Sequence, residues 1–168
     1  MQNKNINLII FIAIIVFINL VSLSVFTRLD FSKGNIYSLA DASKKAVENI
    51  DDRLIVKAYF SENLPGQYAD ARRYTEDLLS EYRAYSHGSL HYEFVDPANE
   101  EVLKEEAHKN QIFPVSMRVV EDDKLEIREV YMGLAFLYRG KTESIPMIEN
   151  TRGLEYEITR TIKKITSQ

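Results

Sequence analysis

The longest unbroken run of apolar positions lies near the amino end of the chain. Residues 6–26 read INLIIFIAIIVFINLVSLSVF and contain no charged side chain. About 20 apolar residues span a bilayer core as a helix, which satisfies its own backbone polar groups there. The pattern predicts a transmembrane signal anchor over residues 6–26, after a short head at residues 1–5. A cleaved signal peptide is the alternative, although its apolar core is usually shorter.

Shorter apolar patterns follow the predicted anchor and have two different periods. Helical spacing of apolar residues predicts four helices, at about residues 38–50, 68–86, 99–110 and from 151 onwards. Runs of β-branched and aromatic residues predict six strands, at about residues 54–60, 90–95, 115–120, 125–131, 134–138 and 142–148. The remaining residues 27–37 are expected to form a juxtamembrane linker.

The order of these elements predicts an α/β fold for residues 38–168. A β-α-β unit produces parallel strands through a right-handed crossover. Strands joined by short turns are expected to pair antiparallel. We therefore expect a mixed sheet flanked by helices, an α/β sandwich.

Local signals predict how the helices begin, end and face the core. Ser38 and Asp41 have the spacing of a capping box, so Ser38 is expected to cap the first helix. Gly88 suits a left-handed position after the second helix. Three residues are expected to face inward from the third helix, namely Val102, Leu103 and Ala107. The inward face predicted for the last helix comprises Leu154, Ile158, Ile162 and Ile165.

Composition excludes several classes of function. The formal net charge is -4, from 21 Lys+Arg and 25 Asp+Glu, and no basic block is present, so nucleic-acid binding is not expected. The chain has no cysteine, which excludes disulfides and thiolate chemistry. The three histidines lack metal-binding spacing, and no phosphate-binding glycine loop occurs. We predict no catalytic residue, no metal site and no cofactor. Lysine and arginine counts beside residues 6–26 do not fix the membrane orientation.

The order of elements resembles the thioredoxin-like fold. That family carries its redox cysteines after the first strand, where this chain has Leu64-Pro65-Gly66-Gln67-Tyr68 and no sulfur nucleophile. The family also places a cis-proline before the third strand, where this chain has Pro114. The resemblance implies a redox-inactive fold with a partner-binding groove at Pro65, Gly66, Tyr68 and Pro114. The Phe113–Pro114 bond is left open between cis and trans.

Several segments are similar to the N-terminal region of the auxiliary component of gliding-motility-associated ABC-type transport systems. They are the run DFSKGNIYSL at residues 30–39, IVKAYFS at 55–61, LLSEY at 78–82, FVDP at 94–97, VYMGLA at 130–135 and LEYEI at 154–158. The resemblance implies a non-catalytic subunit anchored in the bacterial inner membrane, with its domain facing the periplasm or exterior. Its implied partners are the permease and ATPase subunits. Family members are usually longer, so this chain is expected to be a fragment or a short member.

Two other functions stay open on the sequence. One is an extracytoplasmic module that binds a peptide or a glycan in the groove beside Pro65 and Pro114. The other is an enzyme, which would need a site built from scattered Asp, Glu and His side chains.

Overall fold

The computed structural model describes residues 38–62, 64–121 and 124–167, together with Phe11, Ile14 and Ile15. The predicted linker lies outside the described residues, and so does the predicted anchor except for those three positions. Phe11, Ile14 and Ile15 are helical and exposed. Among the helices that the described residues form, none has the length and apolar character needed to cross a bilayer. The chain divides into two compact units, Met1–Ile36 and Tyr37–Gln168.

The described part of the second unit contains helices and strands in the predicted order, with bounds within a few residues of those expected. The helices are α1 (Asp41–Glu48), α2 (Gly66–Tyr85), α3 (Glu101–Lys109) and α4 (Leu154–Thr166). The strands are β1 (Leu54–Phe60), β2 (Leu90–Val95), β3 (Val115–Glu121), β4 (Lys124–Val130), β5 (Met132–Tyr138) and β6 (Lys141–Ile145). A 3-10 turn at Pro97–Asn99 precedes α3.

Four of the strands form a mixed sheet in the order β2-β1-β5-β6. β1 runs parallel to β2, with Leu54 opposite Leu90, and β5 pairs antiparallel with both β1 and β6. The predicted mixed sheet flanked by helices is confirmed. β3 and β4 are not part of it, because they pair with each other in a separate two-stranded sheet. Their alternating apolar and charged residues suit a half-exposed ribbon, whereas the apolar β5 suits a central strand.

The sheet has a core on each face. Alternate residues of β1, such as Val56 and Phe60, contribute to the main core, which also takes in residues of α1, α2 and α4. Tyr59 belongs to a smaller core that includes Ala107 of α3 and Ala135 of β5. The inner face predicted for α4 is confirmed, since its four residues are buried.

Two predictions about helix faces and ends were wrong. Val102 is 76% exposed, because α3 packs through Ala107, five residues further on and about 140° around the helix. Ser38 does not cap α1, whose N-cap residue is Ala40. The carboxylate of Glu155 instead accepts the Ala40 backbone N–H at 2.8 Å.

After α2, His87 and Gly88 both have positive φ angles, of 52° and 91°.

Candidate functional site

Two of the predicted partner-binding residues line one groove. Pro65 and Tyr68, at the start of α2, lie across a cavity of about 240 Å³ from the first half of β3. The other lining residues are Val115, Ser116, Met117, Arg118 and Met147. Tyr68, Val115 and Met147 also pack against the main core, so the floor of the groove is apolar. Ser116 and Arg118 are exposed.

The other two predicted residues lie beside this groove and do not line it. Gly66 is exposed and has open space where a side chain would project. Pro114 immediately precedes Val115, and no described peptide bond is cis, so the Phe113–Pro114 bond is trans. Pro114 also precedes β3 in the small sheet, whereas Tyr131 precedes β5, which pairs with β1 in the mixed sheet. Pro114 does precede the third strand in chain order, as predicted, but its peptide bond is trans and that strand lies outside the mixed sheet, so Pro114 does not take the place of a cis-proline there.

A second cavity, of about 490 Å³, lies at the carboxyl ends of β1 and β2. This edge of parallel strands is where open α/β sheets commonly bind ligands. Asp96 lines the cavity, but its two oxygens accept the backbone N–H groups of Glu62 and Ala98, each at 2.8 Å. Ser61 Oγ accepts the Tyr131 N–H at 3.0 Å. Both side chains therefore hold loops in place. In the sequence, the only feature that marks these two residues is that each directly follows a predicted strand.

A polar network lies between the sheet and α3. Lys57 Nζ donates to Glu106 Oε1 at 2.5 Å, and the same oxygen accepts the Tyr59 hydroxyl at 2.9 Å. Lys57 also lies 3.3 Å from Glu93. Its hydrogen bond to Glu106 raises the pKa of Lys57 and lowers the pKa of Glu106. Burial raises the pKa of Tyr59 to about 12.

A further network joins three helices around Glu155. Its Oε1 atom accepts the Ser43 hydroxyl at 2.7 Å, in addition to the Ala40 N–H. The Tyr82 hydroxyl lies 2.6 Å from Thr159 Oγ1 and donates to the Glu155 carbonyl at 2.9 Å. Burial raises the pKa of Tyr82 to about 12. A cavity of about 540 Å³ lies beside this network, and sequence reasoning missed it because its walls come from separate helices.

The described histidines do not form a metal site. His108 stacks on Phe113 with 5.3 Å between the ring centres. Within the described residues, no group of three His, Asp or Glu side chains is arranged to hold a metal ion.

Comparison with known proteins places the chain in a family. It is 23% identical to an uncharacterized protein of Borreliella burgdorferi (strain B31), over 98% of this chain and 33% of the relative. The chain thus spans about a third of the length of that relative. No solved structure matches it. The sequence model of the family described as "Domain of unknown function (DUF7088)" matches residues 33–137, which is more than half of the chain, and the chain therefore belongs to that family.

Proposed function

We propose that the chain is a non-catalytic, membrane-anchored auxiliary subunit of an ABC-type transport complex of the gliding-motility type. The observation that carries this proposal is the run DFSKGNIYSL at residues 30–39, which is separated by three residues from the end of the apolar residues 6–26. This pairing resembles the beginning of the auxiliary components. The partners are the permease and ATPase subunits and the membrane itself.

The chemistry of the described domain supports a structural role. The ion pairs of Lys57 with Glu106 and of Lys164 with Glu143 join separate elements of the fold. The carboxylates of Asp96 and Glu155 are likewise engaged by backbone N–H groups. The relative from Borreliella burgdorferi is about three times as long as the chain, in keeping with the greater length of auxiliary components.

In this proposal the chain crosses the bacterial inner membrane once. Residues 6–26 form the span, and residues 38–168 lie in the periplasm or outside the cell. Introduced cysteines provide a test, because the chain has none of its own. Ser167→Cys in intact cells is expected to react with a membrane-impermeant maleimide. Labelling only after lysis would contradict the outward orientation.

We also propose a thioredoxin-like architecture without redox chemistry. A parallel β1-α2-β2 unit, an antiparallel β5-β6 pair and a closing helix α4, in the sheet order β2-β1-β5-β6, support it. The β3–β4 pair is then an addition to that architecture. A crystal structure in which β3 or β4 occupies the mixed sheet would contradict this interpretation.

Co-purification tests the main proposal. The tagged full chain, extracted from native membranes in mild detergent, is expected to retain an ATPase and a permease subunit. An unrelated single-pass protein with the same tag is the control. Repeated recovery of the chain without either subunit would contradict the proposal.

The groove beside Tyr68 favours a second candidate function, the binding of a peptide or a glycan. Its apolar floor and exposed Arg118 offer both contact area and a charge. Tyr68→Ala is expected to abolish retention of the ligand, whereas Tyr156→Ala, at a highly exposed ring of α4, is expected to leave it unchanged. Equal retention by both variants would remove the groove as the binding site.

A further inference from the structure

The groove lies against the edge of β3. Its lining includes Val115, Ser116, Met117 and Arg118, which are four consecutive residues of one strand. Successive side chains of a strand point to opposite faces of the sheet. A single cavity can contact all four only when it faces the side of the strand, where the backbone groups are accessible.

This edge of β3 has no partner strand among the described residues. β4 pairs with β3 along one edge, from Val115 opposite Val130 to Glu121 opposite Lys124. Among the described residues, no backbone hydrogen bond from a turn or a loop reaches the β3 backbone. An unpaired strand edge presents a row of N–H and C=O groups that can pair with an extended chain.

We propose that the outer edge of β3 accepts an extended peptide segment as an added strand. This inference rests on the second candidate function and assigns a peptide to the groove in preference to a glycan. In this mode, main-chain hydrogen bonds supply affinity and alternate side chains supply specificity. A glycan does not present the regular alternation of N–H and C=O groups that a strand edge pairs with.

The charges around the groove specify the segment further. Arg118 is exposed and has no ion pair within the described residues, and no acidic residue is among those that line the groove. The apolar floor offers contact to Tyr68 and Met147. The segment that fits this edge therefore alternates β-branched residues with polar ones and carries a carboxylate opposite Arg118.

Synthetic peptides and the full chain in detergent micelles provide the test. The probe is acetyl-Thr-Val-Glu-Val-Thr-Val-amide with a fluorescent label, read by anisotropy, and its control carries Lys in place of Glu. We expect the Glu peptide to bind about tenfold more tightly than the Lys peptide. Arg118→Glu is expected to reverse this preference. Arg83→Glu makes the same charge change in the last turn of α2 and is expected to leave the preference unaltered.

Backbone methylation distinguishes strand addition from other peptide binding. Only alternate N–H groups of an added strand point at its neighbour. Of two Glu peptides, N-methylated at the odd or at the even amides, one is expected to lose at least tenfold in affinity and the other to keep most of it. Equal affinities would overturn strand addition while leaving a peptide-binding groove intact. If no peptide binds but a glycan is retained through Tyr68, the inference fails and the second candidate function stands.

Discussion

At the scale of single residues, Lys57 shows how a charged side chain is kept on a largely covered sheet face. It extends from β1 to Glu106 of α3, and Tyr59 donates to the same carboxylate oxygen. The side chain of Lys57 is 24% exposed and that of Glu106 is 34% exposed, so solvent screens the pair in part. The network therefore joins α3 to the sheet and makes a modest contribution to stability.

Glu106→Gln is expected to lower the free energy of unfolding by about 1 kcal/mol at neutral pH. Because Lys57 lowers the pKa of Glu106, the contribution is present above the ordinary pKa of 4.5 and is lost as the pH falls through the lowered value. Because the pKa of Lys57 is raised, the same contribution is fully present below its ordinary pKa of 10.5. The contribution is lost as the pH rises through the raised value. Urea unfolding of both proteins at pH 3 and pH 7 measures the difference.

Glu101→Gln is the matched control for this measurement. Glu101 is on the same helix and pairs with Lys104 at 3.3 Å, but its side chain is 79% exposed. We expect a change below about 0.5 kcal/mol, as for most exposed pairs. A loss for Glu106→Gln that is the same at both pH values would show that its charge plays no part.

At the scale of elements, the start of α1 depends on a residue of α4. Glu155→Ala removes the acceptor of the Ala40 N–H and of the Ser43 hydroxyl, so the free energy of unfolding is expected to fall by about 1–2 kcal/mol. Thermal unfolding followed by circular dichroism measures it. Glu157→Ala changes the same turn of α4 at an exposed position and is expected to cost less than about 0.5 kcal/mol. Equal losses would point to the dipole of α4 as the common cause.

The close packing of β5 depends on a glycine. A side chain on Gly133 would meet the Pro146 carbonyl oxygen at 2.7 Å and Ile112 carbon atoms at 2.9 Å. Gly133→Ala is therefore expected to reduce the free energy of unfolding by about 1–3 kcal/mol. Chemical unfolding measures the change. Gly66→Ala is the control, because nothing lies within 4 Å of the carbon atom that it adds. The free energy of unfolding of this variant is expected to stay unchanged. A stable Gly133→Ala would mean that the 146–148 segment moves aside at little cost.

The elements also show which local signals could be predicted from the sequence. Strand β1 and the buried face of α4 agree with their patterns because one surface of each is continuously apolar. Ser38 had the spacing of a cap, but Leu39 is buried and the acceptor comes from Glu155, 115 residues after Ala40. Local spacing could not reveal a cap supplied by a distant helix.

At the scale of the whole molecule, the proposed anchor makes a prediction about location. Ile14→Lys with Ile15→Lys places two charges near the middle of residues 6–26, at about 2.5–3.5 kcal/mol each in a bilayer. The full chain is then expected to move from the carbonate-washed membrane fraction to the soluble or aggregated fractions. Ile14→Leu with Ile15→Leu is expected to stay in the membrane. Retention of the lysine variant would argue against a span at these residues.

The arrangement of the strands was only partly predictable. The parallel β1-α2-β2 unit follows from its chain order, since a crossover helix places its strands side by side. Antiparallel pairing was predicted for β3, β4 and β5 alike, but the order of the elements did not show that β3 and β4 would pair with each other outside the mixed sheet. The choice follows from burial, because β5 fills the place between β1 and β6 with apolar residues on both faces.

The sequence by itself determined the apolar stretch, the order of helices and strands, the absence of cysteine and the parallel first pair of strands. The first three are local or compositional properties that neighbouring residues define, and the parallel pair follows from the chain order of strand, helix and strand. Only the tertiary structure decided that β3 and β4 form their own ribbon, that Glu155 caps α1, and that Arg118 faces the same groove as Pro65 and Tyr68. Each of these depends on contacts between distant parts of the chain, whose geometry is set by packing of the cores.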